Sequence, residues 1–363
     1  MTQMLVLVHG MGTNQQGWSQ TPGGPAAKLN EVARRYQAFA NGTEFTEELV
    51  VAEITYDFCF AELVAQWQSQ SAALGSWAST NALPLPKVIS WLQKTLPADE
   101  QTAKDFFWST GIDPLLYRGF QLVRDRVRVS VMKQVVDLLK TAPDEGMNVT
   151  IVAHSLGTAV MHDVLHLLGT GRLLEQFPAA QVLMSDQWKF SNLFMVADVC
   201  MLGPPQVRDI DYFGSIVRPM PPGADAGYCQ KFFEVWHRYD PFAIAAPFRP
   251  ADWGPGYRPI GPLSHFREAN VHGFTHYLDH PAVHIPIINY SLDRAAIDAE
   301  ESAAAVAAYH DIEASALGPL IDRVQEKAKE FAQSNSDLAE IAIKISEFYA
   351  LARTVQSTWQ VIS

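Results

Sequence analysis

The sequence predicts an α/β protein, because apolar runs of strand length alternate with stretches whose apolar residues fall at helical spacing. Two junctions carry the expectation. Residues 4–8 form an apolar run that stops at His9-Gly10-Met11-Gly12. Residues 149–153 form a β-branched run that ends in His154-Ser155-Leu156-Gly157, and Leu156, Val160, Val164 and Leu168 follow at helical spacing. Between them, Leu29, Val32, Ala33 and Tyr36 predict a helix over residues 26–38, and residues 49–55 read as a strand. Beyond the serine, residues 193–197 and 232–237 read as two more strands. The stretches 204–228 and 247–263 are rich in Pro and Gly and read as long loops.

The junction at Ser155 has the order that a nucleophile elbow requires: strand, serine, helix. The serine must occupy a strained turn, so the residues two before and two after it must be small for strand and helix to pass closely. Ala153 and Gly157 meet that need. The same turn puts the next N–H, that of Leu156, at a helix N-terminus where it can stabilise an oxyanion.

On these residues the chain resembles the α/β-hydrolases of the lipase and esterase kind, over roughly residues 4–289 apart from much of an insertion. The resemblance implies a mostly parallel central sheet flanked by helices, with a helical cap or lid insertion over residues 58–147. A catalytic domain would then span 1–294, and a C-terminal helical extension 295–363. The family's strand ending in His-Gly carries the other oxyanion donor, which falls here on the N–H of Met11. The family's order is Ser, acid, His. An Asp-Pro pair just past a strand is where the acid belongs, which selects Asp240, with Asp198 as the rival. For the base, His272, His276, His280 and His284 recur every four residues. Four such histidines invite a metal-site reading, but Gly273, Pro281 and Pro286 argue against one continuous helix. The late histidine beside an aromatic residue fits best as His276, in Thr275-His276-Tyr277, with His272 second. Two departures stand out: Ala153 replaces the usual glycine, and Pro204 replaces the serine of a Gly-Ser-Pro-like strand ending.

The resemblance implies a serine esterase or lipase acting on a small-molecule or lipid ester, with neither metal nor organic cofactor in its cycle. Thioesterase, phospholipase and acyltransferase activities share the triad. A reading of another class is a binding protein, or a secreted effector using its C-terminal helices. Those helices, read at 295–309, 318–333 and 338–358, carry an apolar stripe through Ile341, Ile345, Phe348 and Leu351. Docking on the body is the favoured role for the stripe, and homo-oligomerisation is an alternative. In the insertion, Val123, Val127, Val131, Val135 and Leu138 predict a helix over 118–139 that returns to the core.

Composition bounds the rest. The chain has 363 residues, 48% of them hydrophobic, enough for a large core. A formal net charge of −12 gives no basic footprint, which weighs against nucleic acid as a partner. No run reaches the length of a membrane span, and the uncharged apolar start runs straight into His9-Gly10, unlike an export signal. Cys59, Cys200 and Cys229 lack metal spacing and read as buried thiols in a reducing compartment, so a cytoplasmic location is expected.

Overall fold

The computed structural model describes residues 2–11, 14–60, 62, 117, 121–140, 146–202, 208–220, 227–240, 242–243, 247–265, 271–309 and a few positions between 322 and 330. Six strands form one all-parallel sheet: β1 (Gln3–Val8), β2 (Val50–Ile54), β3 (Asn148–His154), β4 (Phe190–Val196), β5 (Cys229–His237) and β6 (Tyr257–Leu263). Their spatial order is β2-β1-β3-β4-β5-β6. From β1 the chain steps to one side for β2 and to the other for β3. This reversal opens a crevice at the C-terminal ends of β1 and β3, where open α/β sheets bind ligands.

Strand residues alternate between two cores. Met4, Val6 and Val8 face one side and Leu5 and Leu7 the other, all of them 5% exposed or less. Both faces are therefore covered, which is why these strands read as continuous apolar runs. The first face carries α2 (Gln121–Leu139) and α3 (Leu156–Gly169). The second carries α1 (Pro25–Ala33), α4 (Phe274–Asp279) and α5 (Pro281–Ser291), and α6 (Ala299–Ala308) follows. Val127, Val131, Met132 and Val135 of α2 are buried against the sheet side, so this part of the insertion region does return to the core. The rest of the expected cap, and the two later C-terminal helices, lie largely outside the described residues.

Three local expectations are corrected. The first helix stops at Ala33 rather than 38: Tyr36 turns extended at φ −113°, and its hydroxyl meets His284 Nε2 at 2.6 Å. The Pro- and Gly-rich stretch at 247–263 contains a strand, β6, and not only loop. Its prolines are tolerated because β6 is an edge strand, paired on one side only among the described residues, where a missing N–H costs no ladder bond. The late histidines do span a broken helix, as Gly273 and Pro281 suggest, but Pro286 lies inside α5 without ending it.

Candidate active site

Ser155 sits between β3 and α3, with φ 53° and ψ −126°. A non-glycine residue at positive φ costs about 1–3 kcal/mol and persists only where its surroundings hold it. Here the ladder continues past the strand: Ser155 N–H donates to Val196 O at 2.9 Å. Close packing does the rest. A Cβ on Gly157 would lie 2.3 Å from His9 O, and one on Gly10 would lie 2.8 Å from both Ser155 Cβ and His154 Nδ1. Glycine is therefore required at both positions for β1 and the elbow to meet.

The histidine that meets Ser155 comes from the loop before α4. His272 Nε2 lies 2.7 Å from Ser155 Oγ, and His272 Nδ1 lies 2.8 and 3.0 Å from the two oxygens of Asp240. Asp240 follows β5 and is fully buried. Burial opposes its ionisation, but neighbouring His272 and the hydrogen bonds from His272, Tyr277 Oη (2.6 Å) and Phe242 N–H (2.9 Å) outweigh it. The carboxyl is held below its ordinary range. An ionised Asp240 fixes the proton on His272 Nδ1, leaving the Nε2 lone pair aimed at the serine hydroxyl.

His276, the base expected from sequence, is not in this array. It lies within α4, with no solvent exposure, and its ring stacks on His265 at 4.2 Å. The reason is local: Gly273 caps α4, so His272 stays in the loop that reaches Ser155, while His276 is carried one turn into the helix. Asp198, the rival acid, has a different task. Its Oδ1 accepts from Thr158 Oγ1 at 3.0 Å and from Cys200 N–H at 2.8 Å, tying the turn after β4 to α3. His280 caps α5 by accepting from Ala282 N–H, and His284 bonds Tyr36 and Leu278 O.

Of the two expected oxyanion donors, Leu156 directly follows the serine and Met11 follows the turn after β1. Leu156 opens α3, where a first-turn N–H has no intrahelical acceptor. Met11 lines the cleft that Ser155, His272 and His154 also line. The turn that carries Met11 is braced by Tyr56, whose hydroxyl donates to His9 O at 2.8 Å and Gly10 O at 3.2 Å. His9 Nδ1 donates to Gly10 O at 2.7 Å, and burial lowers this imidazole to about 4, so it serves as a neutral staple. Further along, Glu53 of β2 accepts from Gly17 N–H and Ser19 N–H, both at 2.7 Å, and Asp57 accepts from Asn14 N–H.

One neighbour escaped the sequence reading. His154 Nε2 donates to His272 O at 2.7 Å while its ring stacks on Phe274 at 4.8 Å. Burial lowers it to about 3, so it is neutral. The residue before Ser155 thus holds the backbone of His272. Its place in the motif was visible, but no pattern in the sequence says where its ring points.

The cleft measures about 610 Å³. Its described wall is uncharged and about evenly polar and apolar, with Asn14, Gln15, Gln16, Thr21 and Thr275 beside Met11, Trp18, Pro22, Pro25 and Phe274. Among the described residues no helix is long and apolar enough to cross a membrane. No family model, no curated protein and no solved structure matches the chain.

Proposed function

We propose that this chain is a serine hydrolase of the α/β-hydrolase type that cleaves carboxylic esters. The observation that supports it most is the hydrogen-bond chain Ser155–His272–Asp240 on a serine with φ 53°, at the C-terminal edge of a parallel sheet. Ser155 Oγ attacks the acyl carbonyl as His272 Nε2 takes its proton, and Asp240 stabilises the imidazolium. The imidazolium then protonates the leaving alcohol. Water, deprotonated by the same imidazole, attacks the acyl-enzyme, and the proton returns to Ser155 as the acid departs. The N–H groups of Met11 and Leu156 receive the oxyanion, each such donor being worth about 3 kcal/mol.

The size of the cleft and its mixed polar and apolar wall suit compact esters that carry hydrogen-bonding groups. A chromogenic ester series from acetyl to palmitoyl tests both parts of the reading. Short acyl groups are expected to turn over best, and Ser155→Ala to abolish turnover. A folded wild-type protein inert across the series would remove the ester reading. A preference for palmitoyl would replace the compact substrate with a lipid.

A further inference from the structure

The hydrogen-bonded array has a fourth side chain. Tyr277 lies in α4, five residues after His272, and has no solvent exposure. Its hydroxyl donates to Asp240 Oδ2 at 2.6 Å. The two carboxylate oxygens are held from different sides. Oδ1 accepts from Phe242 N–H at 2.9 Å and Ala243 N–H at 3.4 Å, both in its own loop. Oδ2 lies closer to His272 Nδ1, at 2.8 Å against 3.0 Å for Oδ1, and Tyr277 is its other donor among the described residues. The segment that carries His272 therefore also carries the group that orients the acid.

The phenol is committed to this bond. Its oxygen takes a backbone hydrogen bond from His237, which leaves its own proton for Asp240. Burial and the Asp240 charge hold its ionisation well above the ordinary tyrosine value, so it neither gains nor loses a proton during turnover. It acts instead as a fixed dipole whose positive end faces the carboxylate. Such a donor favours the charged form of Asp240 and offsets part of the pull that the carboxylate exerts on an imidazolium. His237 and His154 also feel the Asp240 charge, but burial lowers both to about 3, so both are neutral. Glu234 of β5, pushed up to about 7 by burial, acts on Tyr277 in the same sense as Asp240.

We propose that Tyr277 is a positioning residue of the hydrolytic array: its hydroxyl holds Asp240 Oδ2 against His272 Nδ1 and limits how tightly the Asp240–His272 pair retains a proton. The role rests on the serine-hydrolase reading. A pair that held its proton too tightly would give it up late to the leaving alcohol, and would stay protonated, hence inactive, over more of the acid range. Without the hydroxyl, Oδ2 keeps only His272 as a donor among the described residues, at a carboxylate with no solvent exposure.

The test measures kcat/KM against pH on a short chromogenic ester for the full chain, for Tyr277→Phe, and for the chain with 3-fluorotyrosine at position 277. Tyr277→Phe is expected to lower kcat by about tenfold to a hundredfold. It should also move the acid limb of the profile up by about one pH unit, because the pair then takes up a proton more readily. The fluorinated phenol is a stronger donor and should move the limb down. It keeps the ring and the hydroxyl, so it reads the limb even if Tyr277→Phe does not fold. A purely structural defect lowers the profile without moving its limb. A limb unmoved by either change, or moved the same way by both, would therefore overturn the role. Fluorophosphonate labelling of the wild type separates the two failures. A folded wild type that is neither labelled nor active overturns the hydrolase reading and this role with it, whereas a labelled, active wild type whose variants keep its limb overturns the role alone.

Discussion

At Ser155 the backbone sits at φ 53°, and its hydroxyl already meets the His272 lone pair, so geometry and tautomer are both set before any substrate arrives. Ser155→Ala should abolish ester turnover. His272→Ala should cost at least a hundredfold more in kcat than His276→Gln, because only the former removes the proton acceptor. Asp240→Asn should cost about 10⁴ in kcat, since an amide can donate to Nδ1 and so favours the wrong tautomer. Steady-state kinetics on folded variants check all three. Two members of the hydrogen-bonded array, Ser155 and Asp240, were legible: small residues flank Ser155 between a strand and a helix, and Asp240-Pro241 follows a strand. The choice between His272 and His276 was not. Both precede aromatic-containing segments at one-turn spacing, and the helix cap that separates them, Gly273, shows its effect only in three dimensions.

The elbow and the loop of residues 14–25 hold the site at the level of whole elements. Gly157→Ala places a methyl 2.3 Å from His9 O, against backbone that cannot yield cheaply, and should destabilise by about 1–3 kcal/mol through overpacking. A urea titration measures that loss. Glu53→Gln keeps the side chain's shape but removes the charge that receives two backbone N–H groups. Hydrogen bonds to charged groups contribute about 1.5–3 kcal/mol, so the cleft wall should loosen and kcat/KM fall by about tenfold or more. An unchanged kcat/KM would mean that Glu53 does not position the wall. Elements with continuous apolar runs, β1, β3, β4 and β5, were readable because both sheet faces are covered. The edge strand β6 was not, since Pro259 and Pro262 mask it and only its edge position makes them tolerable.

Over the whole molecule, buried titratable groups set the pH response. Burial lowers His9 to about 4, and His154, His237, His276 and His284 to about 3, from 6.5. Their contribution is present above pH 6.5, where both states are neutral, and is lost as pH falls and the unfolded chain takes up protons first. Burial pushes Asp57 and Glu234 up to about 7, which acts oppositely: their stabilising effect is present at low pH and lost as pH rises toward 7. Five imidazoles outweigh two carboxyls, leaving unfolding to take up about three protons near pH 5. The urea midpoint should therefore drop between pH 6.5 and 4.5; a flat or rising midpoint would contradict this balance. The α/β class was legible from strand and helix alternation, whereas the pairing of distant histidines into one buried group depends on strand order and was not.

The most direct measurement is intact-mass and peptide analysis after reaction with a fluorophosphonate, which traps an activated serine covalently. One adduct per chain is expected, on Ser155, formed at least a hundredfold more slowly in His272→Ala. No adduct on folded protein, an adduct on another residue, or equal labelling of His272→Ala would contradict it.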